Sequence, residues 1–124
     1  MGWMENFPRF NDGYPVKEIP KASGLYLIGS THFDPILNKQ YFWIKVGMST
    51  NLRSRMRGYR SQNPMIFIVD FRCFNEETVG DEEMYCQEKL AENAIALAPN
   101  TWEWFLTDKE TYMRICDQGF NYFY

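Results

Sequence analysis

The sequence predicts an α+β fold, a small sheet with helices packed on it. Three observations predict it. A chain of 124 residues has room for one hydrophobic core and not for two. With 45% hydrophobic and 23% charged residues it has the composition of a globular protein, not of a disordered one. Short runs of branched and aromatic residues alternate with longer stretches that carry helix start and stop signals.

Taken in order, residues 1–22 are rich in Pro, Gly and Asn, show no period, and read as an irregular N-terminal arm. Residues 23–29 (SGLYLIG) form an apolar run bounded by glycines and read as a strand. Residues 30–39 read as a loop broken by Pro35. Tyr41 to Val46 read as a second strand, antiparallel to the first. Gly47 to Asn51 turn the chain, and Ser49, Thr50 and Asn51 all suit a helix N-cap. A helix is expected from about Asn51 to Tyr59, and a third strand over 65–74 (MIFIVDFRCF). Asp81, Glu82 and Glu83 place acids at the start of a second helix, which runs to about Leu97 and is stopped by Pro99. Trp102 to Leu106 is an aromatic segment, strand or extended. Thr107 with Glu110 reads as a capping box for a third helix that ends near Gly119. The organisation expected is therefore an arm (1–22), a domain (23–119) and an aromatic tail (120–124) that docks on the domain or on a partner.

Several classes are set aside. No uncharged apolar run approaches the roughly 20 residues that span a bilayer, so no membrane partner is expected. The first ten residues hold no apolar signal core. Cys73, Cys86 and Cys116 are odd in number and lack CxxC spacing. They fit buried thiols in a reducing, cytoplasmic setting better than a disulfide frame or a zinc site. His32 is the single histidine, which excludes a multi-histidine metal site.

Charge is segregated. Residues 36–69 carry Lys39, Lys45, Arg53, Arg55, Arg57 and Arg60 and no acid, whereas the whole chain is net −3. The acidic balance opposes indiscriminate DNA coating. The basic block either binds a polyanion locally or faces an acidic helix of the same fold.

Periodicity sorts these side chains. At about 100° per residue, Leu52, Met56 and Tyr59 mark the apolar face of the first helix. Arg53, Arg57 and Arg60 form one flank of it, and Arg55 lies on the other edge. A guanidinium held against a domain needs an anionic partner, either a structural carboxylate or a phosphate. In the second helix Glu83 falls inside the stripe of Cys86, Leu90, Ala94 and Leu97. Acids rarely occupy such a stripe unless paired or metal-bound. In the second strand Lys45 shares a face with Tyr41 and Trp43, opposite Phe42, Ile44 and Val46.

Gly24-Leu25-Tyr26, a loop, Lys45-Val46-Gly47-Met48-Ser49, and an arginine eight residues beyond that glycine resemble the GIY-YIG nuclease superfamily. The resemblance is to the branch whose second motif reads Lys-Ile-Gly, and it continues with Glu83, Cys86 and Leu90 and then Glu103-Trp104-Phe105. It covers about residues 23–108. It implies a small three-stranded antiparallel sheet flanked by helices, and metal-dependent hydrolysis of DNA phosphodiesters by an activated water. It implies that Tyr26 helps activate the nucleophile, that Lys45 stands in place of a second tyrosine, that Arg55 is the catalytic arginine, and that Glu83 holds one Mg²⁺ or Mn²⁺.

The chemistry suits those residue types. A hard cation relieves the repulsion between phosphate and nucleophile, and Mg²⁺ needs only one or two carboxylates beside water and substrate oxygens. Arg55 can grip phosphate in two-pronged fashion. Tyr26, assisted by a neighbouring cation, or Lys45 itself takes the proton. Tyr59, at i+4 from Arg55, is placed to position the water or the phosphate. Asn51, Arg53, Arg57 and Arg60 would hold the flanking DNA backbone. The arm, the 30–39 loop, a second copy in a homodimer or a protein partner would supply specificity. Two positions depart from the family pattern: Lys45 replaces a tyrosine, and Gln87 stands where the branch often has histidine. The alternative they raise is a catalytically degenerate domain that binds nucleic acid or a protein partner without cutting.

Overall fold

The structure, a computed structural model, describes residues 13–74, 79–97 and 104–124. It is an α+β fold. Among the described residues five antiparallel strands lie in the order β3-β1-β2-β5-β4: β1 (Gly24–Asp34), β2 (Lys39–Ser49), β3 (Phe67–Cys73), β4 (Ala96–Leu97) and β5 (Trp104–Thr107). Three α-helices pack on it among the described residues: α1 (Leu52–Gln62), α2 (Val79–Asn93) and α3 (Lys109–Gln118).

The three strands expected are the β3-β1-β2 half. The sheet is wider because the aromatic segment, strand or extended by sequence, becomes β5 and pairs with β2 from Phe42↔Thr107 to Lys45↔Trp104. The second helix stops at Asn93 and not near Leu97. The amide of Ile95 instead donates to Leu106 O at 2.7 Å, which starts the β4 edge. Pro99, Trp102 and Glu103 lie outside the described residues.

The expected 30–39 loop is also mostly strand. β1 and β2 pair without a break from Gly24↔Ser49 to Asp34↔Lys39. The turn is confined to 35–38, where Asp34 Oδ1 accepts the amides of Ile36 (2.9 Å) and Leu37 (3.3 Å) and Asn38 takes φ 50°. Both faces of this ribbon are largely exposed, so it carries no apolar alternation to betray it.

The core of this one domain forms two layers, one on each face of the sheet. On one, Leu25, Leu27, Ile44, Val46 and Phe105 meet Cys86 and Leu90 of α2 and Tyr112 and Ile115 of α3. On the other, Tyr26, Ile28 and Ile68 meet Leu52 and Met56 of α1 and Ile19 of the arm. The aromatic tail belongs to the first layer: Phe120 and Phe123 are buried. Gly119, at φ 60°, turns the chain where a β-carbon would lie 2.4 Å from Asp70 Oδ2, and that oxygen accepts the amide of Phe120 at 2.9 Å.

Two further expectations are corrected. Asp108, not Thr107, caps α3, accepting the Thr111 amide at 2.7 Å. Thr107 is the buried end of β5, and its hydroxyl donates to Phe42 O at 3.3 Å, which removes it from capping. Of the three free thiols, Cys86 is buried and Cys116 half-buried, but Cys73 at the end of β3 is exposed. No described helix is long and apolar enough to cross a membrane.

Candidate active site

Strand alternation sets the site. Tyr26 and Lys45 point to the α1 side of the sheet, opposite Leu25, Leu27, Ile44 and Val46. Gly47, opposite Tyr26 in register, leaves room for the Tyr26 ring: a β-carbon there would lie 2.2 Å from its Oη.

The helix is placed from its N-terminus. Asn51 Oδ1 accepts the Ser54 amide at 3.1 Å, so Asn51 is the cap among the three expected candidates. The amides of Leu52 and Arg53 donate to Ala22 O (2.9 Å) and Pro20 O (3.2 Å), so the arm covers the first turn. With Leu52 and Met56 buried, Tyr59 and Arg55 follow at the border of the apolar stripe.

These elements bring four side chains together. Tyr26 Oη and Tyr59 Oη are 2.9 Å apart. Lys45, only 4% exposed, donates from Nζ to Tyr59 Oη at 2.5 Å. Its ammonium stands 4.9 Å from the Tyr59 ring centre and 6.0 Å from those of Tyr26 and Trp104. Burying an ammonium is costly unless it is hydrogen-bonded, and the phenol and the aromatic cage meet that need. Arg55 closes the group from α1. Partial burial lowers the pKa of its guanidinium, but the oxygens of Tyr26 and then Tyr59 together outweigh it and hold the group above its ordinary value. Two cations thus flank two hydroxyls, an arrangement that favours an anionic ligand.

An open groove of about 450 Å³ runs along this corner, lined by Ser49, Thr50, Asn51, Ser54, Arg55, Gly58, Tyr59 and Gln62. Positions 51, 54, 55, 58, 59 and 62 are one helical stripe. Gly58 forms an unobstructed part of the wall, with nothing within 4 Å of where its β-carbon would be.

The flanking arginines divide. Arg57 is exposed. Arg53 holds the arm, donating from Nε to Ile19 O (2.7 Å) and from Nη2 to Lys17 O (3.0 Å). Arg60 is half-buried, and its Nε has no hydrogen-bond partner among the described residues. Asn51 lines the groove while it caps the helix.

Glu83 is half-buried in the first part of α2. One turn later, Gln87 Nε2 donates to Val46 O at 3.1 Å. That carbonyl lies just beyond Lys45↔Trp104, the last β2–β5 pair. The early part of α2 is thereby anchored beside the β2 segment that carries Lys45 and Gly47, although the Cys86–Leu90 stripe packs on the opposite sheet face. Among the described residues no three His, Cys, Asp or Glu come together as a metal cage. A single carboxylate fits Mg²⁺ only if water and phosphate oxygens complete its shell, which is how that ion is often held.

Trp104 joins the site without being among the residues the sequence marks for it. It pairs in register with Lys45 and forms part of the cage; its place in the Glu-Trp-Phe element was the available signal.

Comparison of the chain with models of known protein families, with curated proteins and with solved structures gave no match in any of the three.

Proposed function

We propose that the protein is a metal-dependent endonuclease that hydrolyses DNA phosphodiester bonds with an activated water. The observation that carries this reading is the convergence of Tyr26, Tyr59, Lys45 and Arg55 beside an open groove. A buried ammonium, Lys45, next to paired phenols is an expensive arrangement for stability alone, and with the exposed guanidinium of Arg55 beside it the cluster offers what a reacting phosphate requires.

In this reading the DNA backbone enters the groove and a phosphate lies against Arg55. The guanidinium donates to its non-bridging oxygens and stabilises the charge that grows as the phosphorus is attacked. The Tyr26–Tyr59 pair orders the attacking water. The pair acts as base after it has lost one proton: the phenolate, stabilised by the Lys45 ammonium on Tyr59 Oη, takes the proton of the water and becomes a neutral phenol, while the water oxygen bonds to phosphorus and the bond from phosphorus to the leaving oxygen breaks. Glu83 would hold a single Mg²⁺ or Mn²⁺, whose contribution when bound is neutralisation of phosphate charge. Arg57, exposed on α1, supplies contact to the flanking backbone without reading sequence.

The test is nicking of plasmid DNA in Mg²⁺ by the full chain and by folded Glu83→Ala and Arg55→Ala proteins. The expected result is cleavage by the wild type alone, abolished by chelator. Equal cleavage in excess chelator overturns the mechanism.

The second reading, binding without cutting, is favoured by one observation: the Gln87 amide is engaged on the Val46 carbonyl, in a structural task. It predicts salt-sensitive DNA binding with no cleavage in any divalent ion.

A further inference from the structure

The β1–β2 ribbon extends past both neighbouring strands. β3 pairs with β1 only as far as Gly29, and β5 with β2 only from Phe42. Beyond them the pairs His32↔Tyr41, Phe33↔Gln40 and Asp34↔Lys39 stand free of the rest of the sheet. The register Tyr26↔Gly47, Ile28↔Lys45, Ser30↔Trp43, His32↔Tyr41, Asp34↔Lys39 puts all these side chains on one face. That is the face of the Tyr26–Lys45 cluster. Asn63, the C-cap of α1, donates from Nδ2 to Ser30 Oγ at 3.4 Å. Gln62, at the end of the groove wall, is thus one residue from this contact with the ribbon face.

The exposed part of the face is built from flat rings and a cation. The His32 and Tyr41 rings stack with 6.1 Å between centres and 25° between planes. The Lys39 ammonium sits 5.3 Å from the Tyr41 ring centre. The one carboxylate of residues 30–41, Asp34, accepts the turn amides of Ile36 and Leu37. The basic charge continues from the cluster without an acid between Ile36 and Val69.

We infer that this ribbon face is a stacking platform for unpaired bases of the DNA strand whose backbone occupies the groove. The proposal rests on the nucleic-acid reading above. Rings beside a positive groove hold single strands because every base has a π-face, and the neighbouring cation meets the phosphate. From Lys45 to Tyr41 is four residues of strand, roughly 14 Å. That is about four steps at the 3.4 Å per phosphate of a B-form strand, and fewer for an extended one. Tyr41 and His32 thus contact nucleotides a short distance from the reacting phosphate. The substrate class is DNA with an unpaired stretch next to the cut.

The experiment is fluorescence anisotropy in chelator, so that no cleavage intervenes, with the full chain, a labelled single-stranded oligothymidine and a duplex of equal length. Tyr41→Ala and His32→Ala are each expected to weaken single-strand binding about tenfold, the order for loss of one stacked base, and to leave duplex binding within about twofold. Tyr41→Trp is expected to restore it. If wild type binds and both alanine variants bind single strands equally well, the rings serve only as a cross-strand pair and the platform is overturned. If wild type binds neither DNA at low salt, the nucleic-acid reading falls and the platform with it. Binding by wild type that follows the expected pattern supports the platform even where no cleavage is found in Mg²⁺.

Discussion

Tyr26 occupies the space that a side chain on Gly47 would fill: a β-carbon on Gly47 would lie 2.2 Å from Tyr26 Oη and 2.3 Å from its Cζ. Two residues on adjacent strands, opposite in register, are therefore coupled by size. Gly47→Ala is expected to displace the Tyr26 ring from Tyr59 and to destabilise the fold by about 1–3 kcal/mol, the cost of overpacking. Urea denaturation checks the stability. DNA cleavage by the protein that remains folded is expected to be lost.

Gly58 presents the opposite case. It sits inside α1 with nothing near its missing β-carbon, so its cost to the helix is not repaid by packing. Gly58→Ala is expected to raise stability by about 0.5–1 kcal/mol and, because the added methyl enters the groove, to weaken DNA binding. Paired urea midpoints and DNA titrations decide it. A variant that is more stable and binds DNA as tightly as wild type would show that the groove wall plays no part in binding.

Much of this site is legible in sequence because two short periods suffice to find it. Alternation separates Tyr26 and Lys45 from Leu25, Leu27, Ile44 and Val46, and the helical step puts Tyr59 on the Leu52–Met56 face and Arg55 at its edge. What stays hidden depends on partners distant in the chain. The carbonyls of Ile19 and Lys17 claim Arg53 across more than thirty positions. Trp104 joins the cage only because β5 adds to the β2 edge. The ribbon of 30–39 is invisible because strands exposed on both faces have no apolar pattern, and Ile95 leaves the helix for a backbone bond to Leu106 that no local signal encodes.

The aromatic tail is part of the core and not a free hook for partners. Phe120 is fully buried, and Phe120→Ala is expected to cost about 3–5 kcal/mol. Thermal denaturation reads this directly. A change below about 1 kcal/mol would contradict the docked tail.

Alkali should weaken the fold. Burial pushes the Cys116 thiol up to about 11 and raises the Cys86 thiol above its ordinary value near 9. Burial also raises the Tyr112 hydroxyl. In the unfolded chain these groups ionise earlier, so above about pH 9 the unfolded state binds fewer protons than the folded one. The Cys116 contribution is whole below that pH and is lost as pH rises toward 11, and that of Tyr112 is lost only further into alkali. Urea midpoints measured across this range should fall, and Cys116→Ala should blunt the fall. A flat profile would contradict the burial of these groups.

The central claim is that Arg55 grips a reacting phosphate beside the Tyr26–Tyr59 pair, which Lys45 supports from Tyr59 Oη. The most direct measurement is single-turnover cleavage of saturating labelled DNA in Mg²⁺ by wild type, Arg55→Ala and Lys45→Met, each shown to be folded by circular dichroism. The account predicts rate constants about 10²–10³-fold lower in both variants, with DNA still bound. Cleavage by both variants at the wild-type rate would contradict it.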